Sequence, residues 1–557
     1  MTGPAVPVTQ DGPDPNMQRS AGHGIGRAAA MIAALTTVAR LLGLVRTIVF
    51  SQTVGAGCLG TAYNTANLVP NIVYDIVLGG ALTSIMVPVL ARPAARSAED
   101  PQAAAEVRQT SSALLTWTVL ILVPASAVIA AAAGPLAHLL NPHNPGDGCA
   151  AHHPALVNVT GSMLAVFAPQ IVFYGLAVVL YGILQAHRRF AAPALAPVIS
   201  SLVVIAAYAV FVPFGSRFKT STDLAGLPLS AELVLSVGTT AGVGALVLTA
   251  LVPAWRLHIR VRPTLRFPPG IAPRVGGLAI YGIAALIAED LSSLVVVLLA
   301  NGHGAQGALV LYGYGWQFFE AAYAVLAISI AVSVFPALST REGAEFDETA
   351  ASATRAVSLL SLAGTALLVA VAIPAAHFMQ TTRAQVPELA SGFVLFALGL
   401  AGYGLVACLS RVLLAAGRTT ITAVIVAGGW VLVIAADVAL VLAGPPRMVV
   451  AMLALGNSIG LSAAGIALLA AVRRYCGGAA LRGMLRAFGS GLAAAAAGGG
   501  IGTAVAVVLP TTGRAEAAGT AVVAALCALT VFALAAYFLD GGELRAAIVR
   551  ARAAVLR

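Results

Sequence analysis

The stretch Val38-Ala39-Arg40-Leu41-Leu42-Gly43-Leu44-Val45-Arg46-Thr47-Ile48-Val49-Phe50 places two arginines inside an apolar run that reads as the first membrane span. A guanidinium near the bilayer centre costs about 2.5–3.5 kcal/mol on insertion scales, so a span that keeps two turns them toward a watery cavity or an anionic partner. The run ends at the glycine-bearing turn Gly55-Ala56-Gly57. A second run follows, interrupted by Pro70-Asn71 and closing on Val87-Pro88-Val89-Leu90. Proline and asparagine inside a span free backbone groups that must be satisfied within protein or along a water-filled cavity. Both helices therefore face one interior, and the question becomes what crosses it.

Of the 557 residues, 59% are hydrophobic and only 9% are charged, far below the roughly 25% of a soluble domain. The chain is an all-α polytopic membrane protein. Nothing between its apolar runs is long enough for a separate soluble catalytic module. Lys and Arg exceed Asp and Glu by ten, and Lys219 is the only lysine. That excess is topological and calls for no nucleic-acid partner. No cofactor is expected. Five scattered cysteines, Cys58, Cys149, Cys408, Cys476 and Cys527, imply no disulfide framework. The first 26 residues carry no cleavable signal pattern, so the first span is expected to stay as an anchor.

Apolar runs lie near 30–54, 61–90, 111–136, 157–184, 192–214, 231–255, 275–300, 307–338, 355–378, 388–416, 420–443, 448–472, 487–509 and 517–539, fourteen in all. An even number puts both termini on one side. With the amino terminus inside, 23 Lys/Arg fall on inside segments, among them Arg188-Arg189, the run Arg256 to Arg274, and Arg473-Arg474. Five fall outside: Arg217, Lys219, Arg383, Arg447 and Arg514. Three, Arg40, Arg46 and Arg411, are intramembrane. The positive-inside rule then places both ends in the cytoplasm.

Two junctions recur six spans apart. Val87-Pro88-Val89-Leu90-Ala91-Arg92 is echoed by Phe335-Pro336-Ala337-Leu338-Ser339-Thr340-Arg341, and Leu184-Gln185-Ala186-His187-Arg188 by Leu414-Ala415-Ala416-Gly417-Arg418. Spans 1–6 thus pair with spans 7–12 as parallel repeats about an axis along the membrane normal, with a site between them. The expected division is a tail at 1–29, one six-helix lobe at 30–273, a second at 274–475, and spans 13 and 14 with a basic amphipathic tail at 476–557.

The run Ala39 to Arg46, then Gly55-Ala56-Gly57, Val69-Pro70-Asn71, Gly80-Ala81 and Val87-Pro88, resembles the first two spans of the bacterial lipid II flippase family (MurJ, also called MviN), of the multidrug/oligosaccharidyl-lipid/polysaccharide exporter superfamily. Phe335 to Ser339 and Ala191 to Pro197 are similar to it as well. The resemblance implies a V-shaped pair of lobes, alternating access, and a cationic cavity for the diphosphate and sugar-peptide head of lipid II. The polyprenyl tail would lie along a groove made by the last two helices. It implies no enzyme activity, a bacterial cytoplasmic membrane location, membrane lipids as neighbours and cell-wall synthesis proteins as further partners. Arginine suits the task, because its planar fork matches phosphate oxygens.

The departures carry as much information. The family usually has serine at Ala39 and aspartate at Thr47 and Thr61. It has arginines and then glutamate where this chain has Tyr74, Asp75 and Gly79, and often an arginine at Gln317. The cavity therefore holds fewer cations and one more acid. Either fewer arginines hold the diphosphate, or the cargo is another polyprenyl-linked glycan or amphiphile; a non-transporting scaffold for cell-wall synthesis is the third reading.

The candidate substrate-binding residues are Arg40, Arg46, Asn71, Tyr74, Asp75, Gln317 and Glu320. Arg46 either contacts cargo or joins a structural ion pair, and Arg40, nearer the cytoplasmic end, is also able to snorkel. Asn71 either satisfies the backbone broken at Pro70 or binds cargo. Asp75 is expected to pair with Arg46, the alternative being ion coupling. Gln317 and Glu320 share a helical face. Glu289, Asp290, Asp437 and Arg411 are candidates for coupling or ion pairing. The loop from Asn141 to Pro154 holds His143, Cys149, His152 and His153 without zinc spacing, and reads as solvated.

Overall fold

A backbone in hydrocarbon must satisfy its polar groups within its own segment, and a chain this apolar answers with helices alone. The computed structural model describes residues 15–76, 90, 93–94, 96, 100–257, 262–266, 272–324, 335, 338–379 and 382–540. The α-helices are α1 (Pro15–Thr53), α2 (Cys58–Asp75), α3 (Pro101–Ala131), α4 (Ala133–Leu140), α5 (His153–Phe167), α6 (Gln170–Ala186), α7 (Ala191–Gly215) and α8 (Leu229–Trp255). They continue with α9 (Ala272–His303), α10 (Ala308–Tyr323), α11 (Gly343–Met379), α12 (Gln385–Ala415), α13 (Thr419–Ala443), α14 (Val449–Tyr475), α15 (Met484–Val508) and α16 (Arg514–Asp540).

Twelve helical segments among the described residues are long and apolar enough to cross a membrane. The other two expected spans coincide with α2 and α10. The junction residues Val87 to Val89, Pro336 and Ala337, the pair Gly80-Ala81, the tail before Pro15 and the basic tail Glu543 to Arg557 lie outside the described residues. The separation of the tenth and eleventh spans stands, with Gly417 in the left-handed region at φ 74° between α12 and α13. Helix ends differ from the apolar limits. α11 begins twelve residues before the expected Leu-rich run at 355, because helix continues into water where hydropathy no longer signals it.

The packing repeats after six spans. α1 packs on α7 as α9 packs on α13; α7 on α8 as α13 on α14; α6 on α8 as α12 on α14; α3 on α6 as α11 on α12. α15 and α16 pack on each other and on α11. Small residues bring these last helices close: a Cβ at Gly498 would lie 2.6 Å from the Ala528 carbonyl oxygen, and one at Gly502 2.4 Å from the Ala370 Cβ. The two six-helix groups touch along a seam formed by α1 and α2 against α9 and α10. That seam contains the residues singled out from the sequence.

Candidate substrate cavity

At 1.5 Å per residue, Arg46 lies roughly 14 Å from the Gly55 turn along α1 and Arg40 roughly 23 Å, while Asp75 lies about 27 Å from the turn along α2. Asp75 therefore lies nearer in depth to Arg40 than to Arg46. The expected Arg46–Asp75 pair does not form. Among the described residues the ion pairs are Arg40–Glu320 at 3.6 Å and His152–Asp223. Arg46 instead lies within electrostatic reach of Tyr63, Tyr174 and Tyr208. Tyr63 exchanges hydrogen bonds with Tyr208 at 2.8 Å and Thr239 at 2.7 Å, which fixes the wall beside Arg46.

Asn71 does not repair a broken backbone at Pro70. α2 runs unbroken through Pro70, and the Asn71 side-chain oxygen accepts a hydrogen bond from the Tyr174 hydroxyl at 3.0 Å. Tyr74 packs on Tyr174 with ring planes tilted by 38° and centroids 4.3 Å apart. Gln317 approaches α1 at a position without a side chain, a Cβ on Gly43 falling 3.9 Å from its Nε2. One turn away, Glu320 reaches Arg40. α1 and α10 thus meet over two consecutive contacts, Gly43–Gln317 and Arg40–Glu320.

Carboxylates collect beyond that contact. Asp75 lies within electrostatic reach of Glu320, Glu289 and Asp290, and Glu289 within reach of Glu320. Tyr403 of α12 faces Glu289 and Glu320, with its ring 4.6 Å from that of Tyr323. Arg411 donates from Nη1 to the Ala407 carbonyl at 2.6 Å and stands beside Tyr323. Asp437 is apart from this group. It is fully buried beside Asn457 and Tyr312, with neither oxygen hydrogen-bonded among the described residues. A Cβ on Gly456 would sit 2.0 Å from its Oδ1, so the glycine makes room for the carboxylate.

At the turn end the seam is closed. Gln385 donates to the Ala56 carbonyl at 2.7 Å and the Gln306 carbonyl at 3.1 Å, and Gln52 to the Phe378 carbonyl at 3.0 Å. Asn301 donates to the Thr65 hydroxyl at 3.0 Å and the Leu140 carbonyl at 2.9 Å, and Asn144 to the Gly304 carbonyl at 2.8 Å. Gly307 adopts φ 81° against Ala56, whose carbonyl oxygen would be 2.2 Å from a Cβ there.

Two readings of this region change. Cys58 and Cys149 form a disulfide, joining the turn after α1 to the segment after α4, an approach set by tertiary packing and silent in the spacing. The segment from Asn141 is not solvated throughout: Asn141, Asn144 and Cys149 are buried against α9. Burial pushes the Asp147 carboxyl above the usual range, with the backbone N–H groups of Cys149 and Gly148 opposing. No group of three or more His, Cys, Asp or Glu among the described residues is placed to hold a metal.

Comparison with known proteins bears on the fold and the family. The family model described as lipid II flippase MurJ matches residues 50–516. The probable lipid II flippase MurJ of Synechocystis is 26% identical over 234 residues, 42% of this chain and 40% of the relative, so the match spans about two fifths of that protein. A solved lipid II flippase MurJ in an inward closed conformation superposes with a TM-score of 0.69 at 16% identity, covering 91% of this chain and 99% of that one. An inward-facing MATE family transporter of the MOP superfamily gives 0.60 at 15% identity over 80% of this chain and 98% of its own. Their common fold, and a family match running from the end of α1 to the start of α16, make this chain a member of the MurJ lipid II flippase family, whose members are transporters and not enzymes.

Proposed function

We propose that this protein moves lipid II, a polyprenyl-diphosphate-linked peptidoglycan precursor, from the inner to the outer leaflet of a bacterial cytoplasmic membrane by alternating access. One observation carries the reading: Arg46 stands in a membrane span, half-buried on the seam, with no carboxylate partner among the described residues. A cation kept at that cost needs a mobile anion, and a diphosphate provides one. The arginine distribution puts both termini in the cytoplasm and the Gly55 turn outside. The disulfide supports that orientation, since disulfides persist on the oxidising side. In this orientation the closed seam is external and the cavity opens inward.

The lobes at 30–273 and 274–475 rock against each other, breaking and remaking the α1–α10 contact, and the segment 476–557 shelters the lipid tail. Arg40, Asn71, Tyr74, Asp75, Gln317 and Glu320 border the head group. Glu289, Asp290, Asp437 and Arg411 serve coupling or the pairing that accompanies it. Cell-wall synthesis proteins are the natural neighbours of such a cycle.

The acid-rich seam and Gln317 favour one second reading, transport of another polyprenyl-linked glycan or amphiphile. Depleting the host flippase and measuring outer-leaflet lipid II tests both. Rescue that disappears with Arg46→Ala at unchanged membrane level supports lipid II; no rescue by membrane-inserted protein transfers the assignment to another cargo.

A further inference from the structure

The seam carries more negative than positive groups. Of the carboxylates gathered there, Glu320 is answered by Arg40. Asp75 is exposed to the interior, Glu289 is half-buried, and both lack an ion-pair partner among the described residues. Asp290 is 7% exposed, lies within electrostatic reach of Asp75, and leaves Oδ2 without a hydrogen-bond partner among the described residues. A buried, unsatisfied carboxylate near other carboxylates is costly in its charged form unless it takes up a proton or something cationic joins it.

The other groups around this recess fit a cation too. Tyr74 and Tyr174 pack with tilted rings on the α2 side, and Tyr403 with Tyr323 presents rings on the α12 side, within electrostatic reach of Glu289 and Glu320. Aromatic faces attract ammonium groups, most strongly when water is displaced. Arg40 is held by Glu320, Arg411 stands behind Tyr323, and Arg46 lies on the order of 10 Å nearer the external end. The seam is thus bipolar, with an unpaired cation at one depth and unpaired acids at another.

We propose that the recess formed by Asp75, Glu289 and Asp290 binds an organic ammonium carried by the cargo itself, while Arg46 holds the cargo's diphosphate. The inference rests on the flippase reading and adds to it a choice of cargo: the peptide must present a free amine. An inorganic cation would satisfy the same acids, so the test separates the two sources.

The measurement uses full-length protein in lipid nanodiscs and two probes: a polyprenyl-diphosphate disaccharide-peptide bearing a lysine, and the same molecule with that amine acetylated. The expected result is weaker binding of the acetylated probe by about tenfold or more, the size of one charge-assisted hydrogen bond. Asp75→Asn brings the two affinities together, and replacing sodium by potassium leaves their ratio unchanged. Equal binding of both probes to the unmodified protein overturns the amine site and leaves the flippase reading standing. A preference that vanishes when sodium is exchanged assigns the recess to an inorganic cation and overturns it as well. Failure to bind either probe overturns both readings together.

Discussion

Arg40 on α1 and Glu320 on α10 form the ion pair that joins the two six-helix groups, at 3.6 Å, with side chains 44% and 27% exposed. Partial exposure screens the pair, and such pairs contribute about 0.2–1 kcal/mol. That is small for stability but sufficient to bias two conformations separated by little. Glu320→Gln and Arg40→Ala are each expected to raise the population opened at the external end by roughly 1.5- to 5-fold. The double variant should exceed neither single one, because both remove the same contact. Distances between spin labels on the external ends of α1 and α12 read this out. Additive shifts would mean the residues act through different partners.

Arg46 differs from Arg40 in having tyrosines for neighbours instead of a carboxylate. Lysine at this position keeps the charge but loses the fork that engages two phosphate oxygens. Arg46→Lys is therefore expected to retain membrane insertion while weakening binding of a polyprenyl diphosphate about tenfold or more. Binding equal to that of the parent protein would assign Arg46 a point-charge role only.

Closure of the seam at the Gly55 turn depends on a backbone geometry at Gly307. Its φ of 81° costs an L-residue roughly 1–2 kcal/mol, and a Cβ there would lie 2.2 Å from the Ala56 carbonyl oxygen. Gly307→Ala cannot keep both the turn and the contact, so it opens the seam that Gln385 bridges. Thiol labelling of a cysteine placed at Gln52 is expected to rise several-fold in this variant, while labelling at the Arg189 position, at the opposite end of the spans, stays level. Unchanged labelling at Gln52 would show that the seam does not rely on Gly307.

Hydropathy and arginine placement carried the architecture, because a membrane imposes length and polarity on every span independently of tertiary contacts. The interior positions of Arg40, Glu320 and Gln317 were likewise legible, since a polar group in a span has few places to go. Partner choice was not legible from type alone. Arg46 and Asp75 are opposite charges in adjacent spans, yet counting helical rise from the turn already places them at different depths. The tyrosines Tyr63, Tyr174 and Tyr208 gave no signal, because tyrosine is equally at home in an ordinary core. Asn144, Asn301, Gln306 and Gln385 belong to loops and helix ends that sequence reading leaves to solvent, and only packing of the two groups makes them a closure.

The Cys58–Cys149 disulfide links that closure to the side of the membrane on which it lies. Both cysteines are buried, and Gln306 donates to the Cys58 sulfur across the seam at 3.4 Å. Cys408, Cys476 and Cys527 are free. Denatured protein taken from an oxidising periplasm-facing membrane is therefore expected to accept three maleimides before reduction and five after. The double variant Cys58→Ser/Cys149→Ser should lose about 2–4 kcal/mol of stability, the usual worth of a crosslink, seen as a lower Tm in detergent. It should also leave the Asn144–Gly304 contact easier to open, measured as faster labelling of a cysteine placed at the half-buried neighbour Ala305. Five reactive thiols without reduction would put the Gly55 turn on the reducing side, and with it reverse the direction in which the closed seam faces.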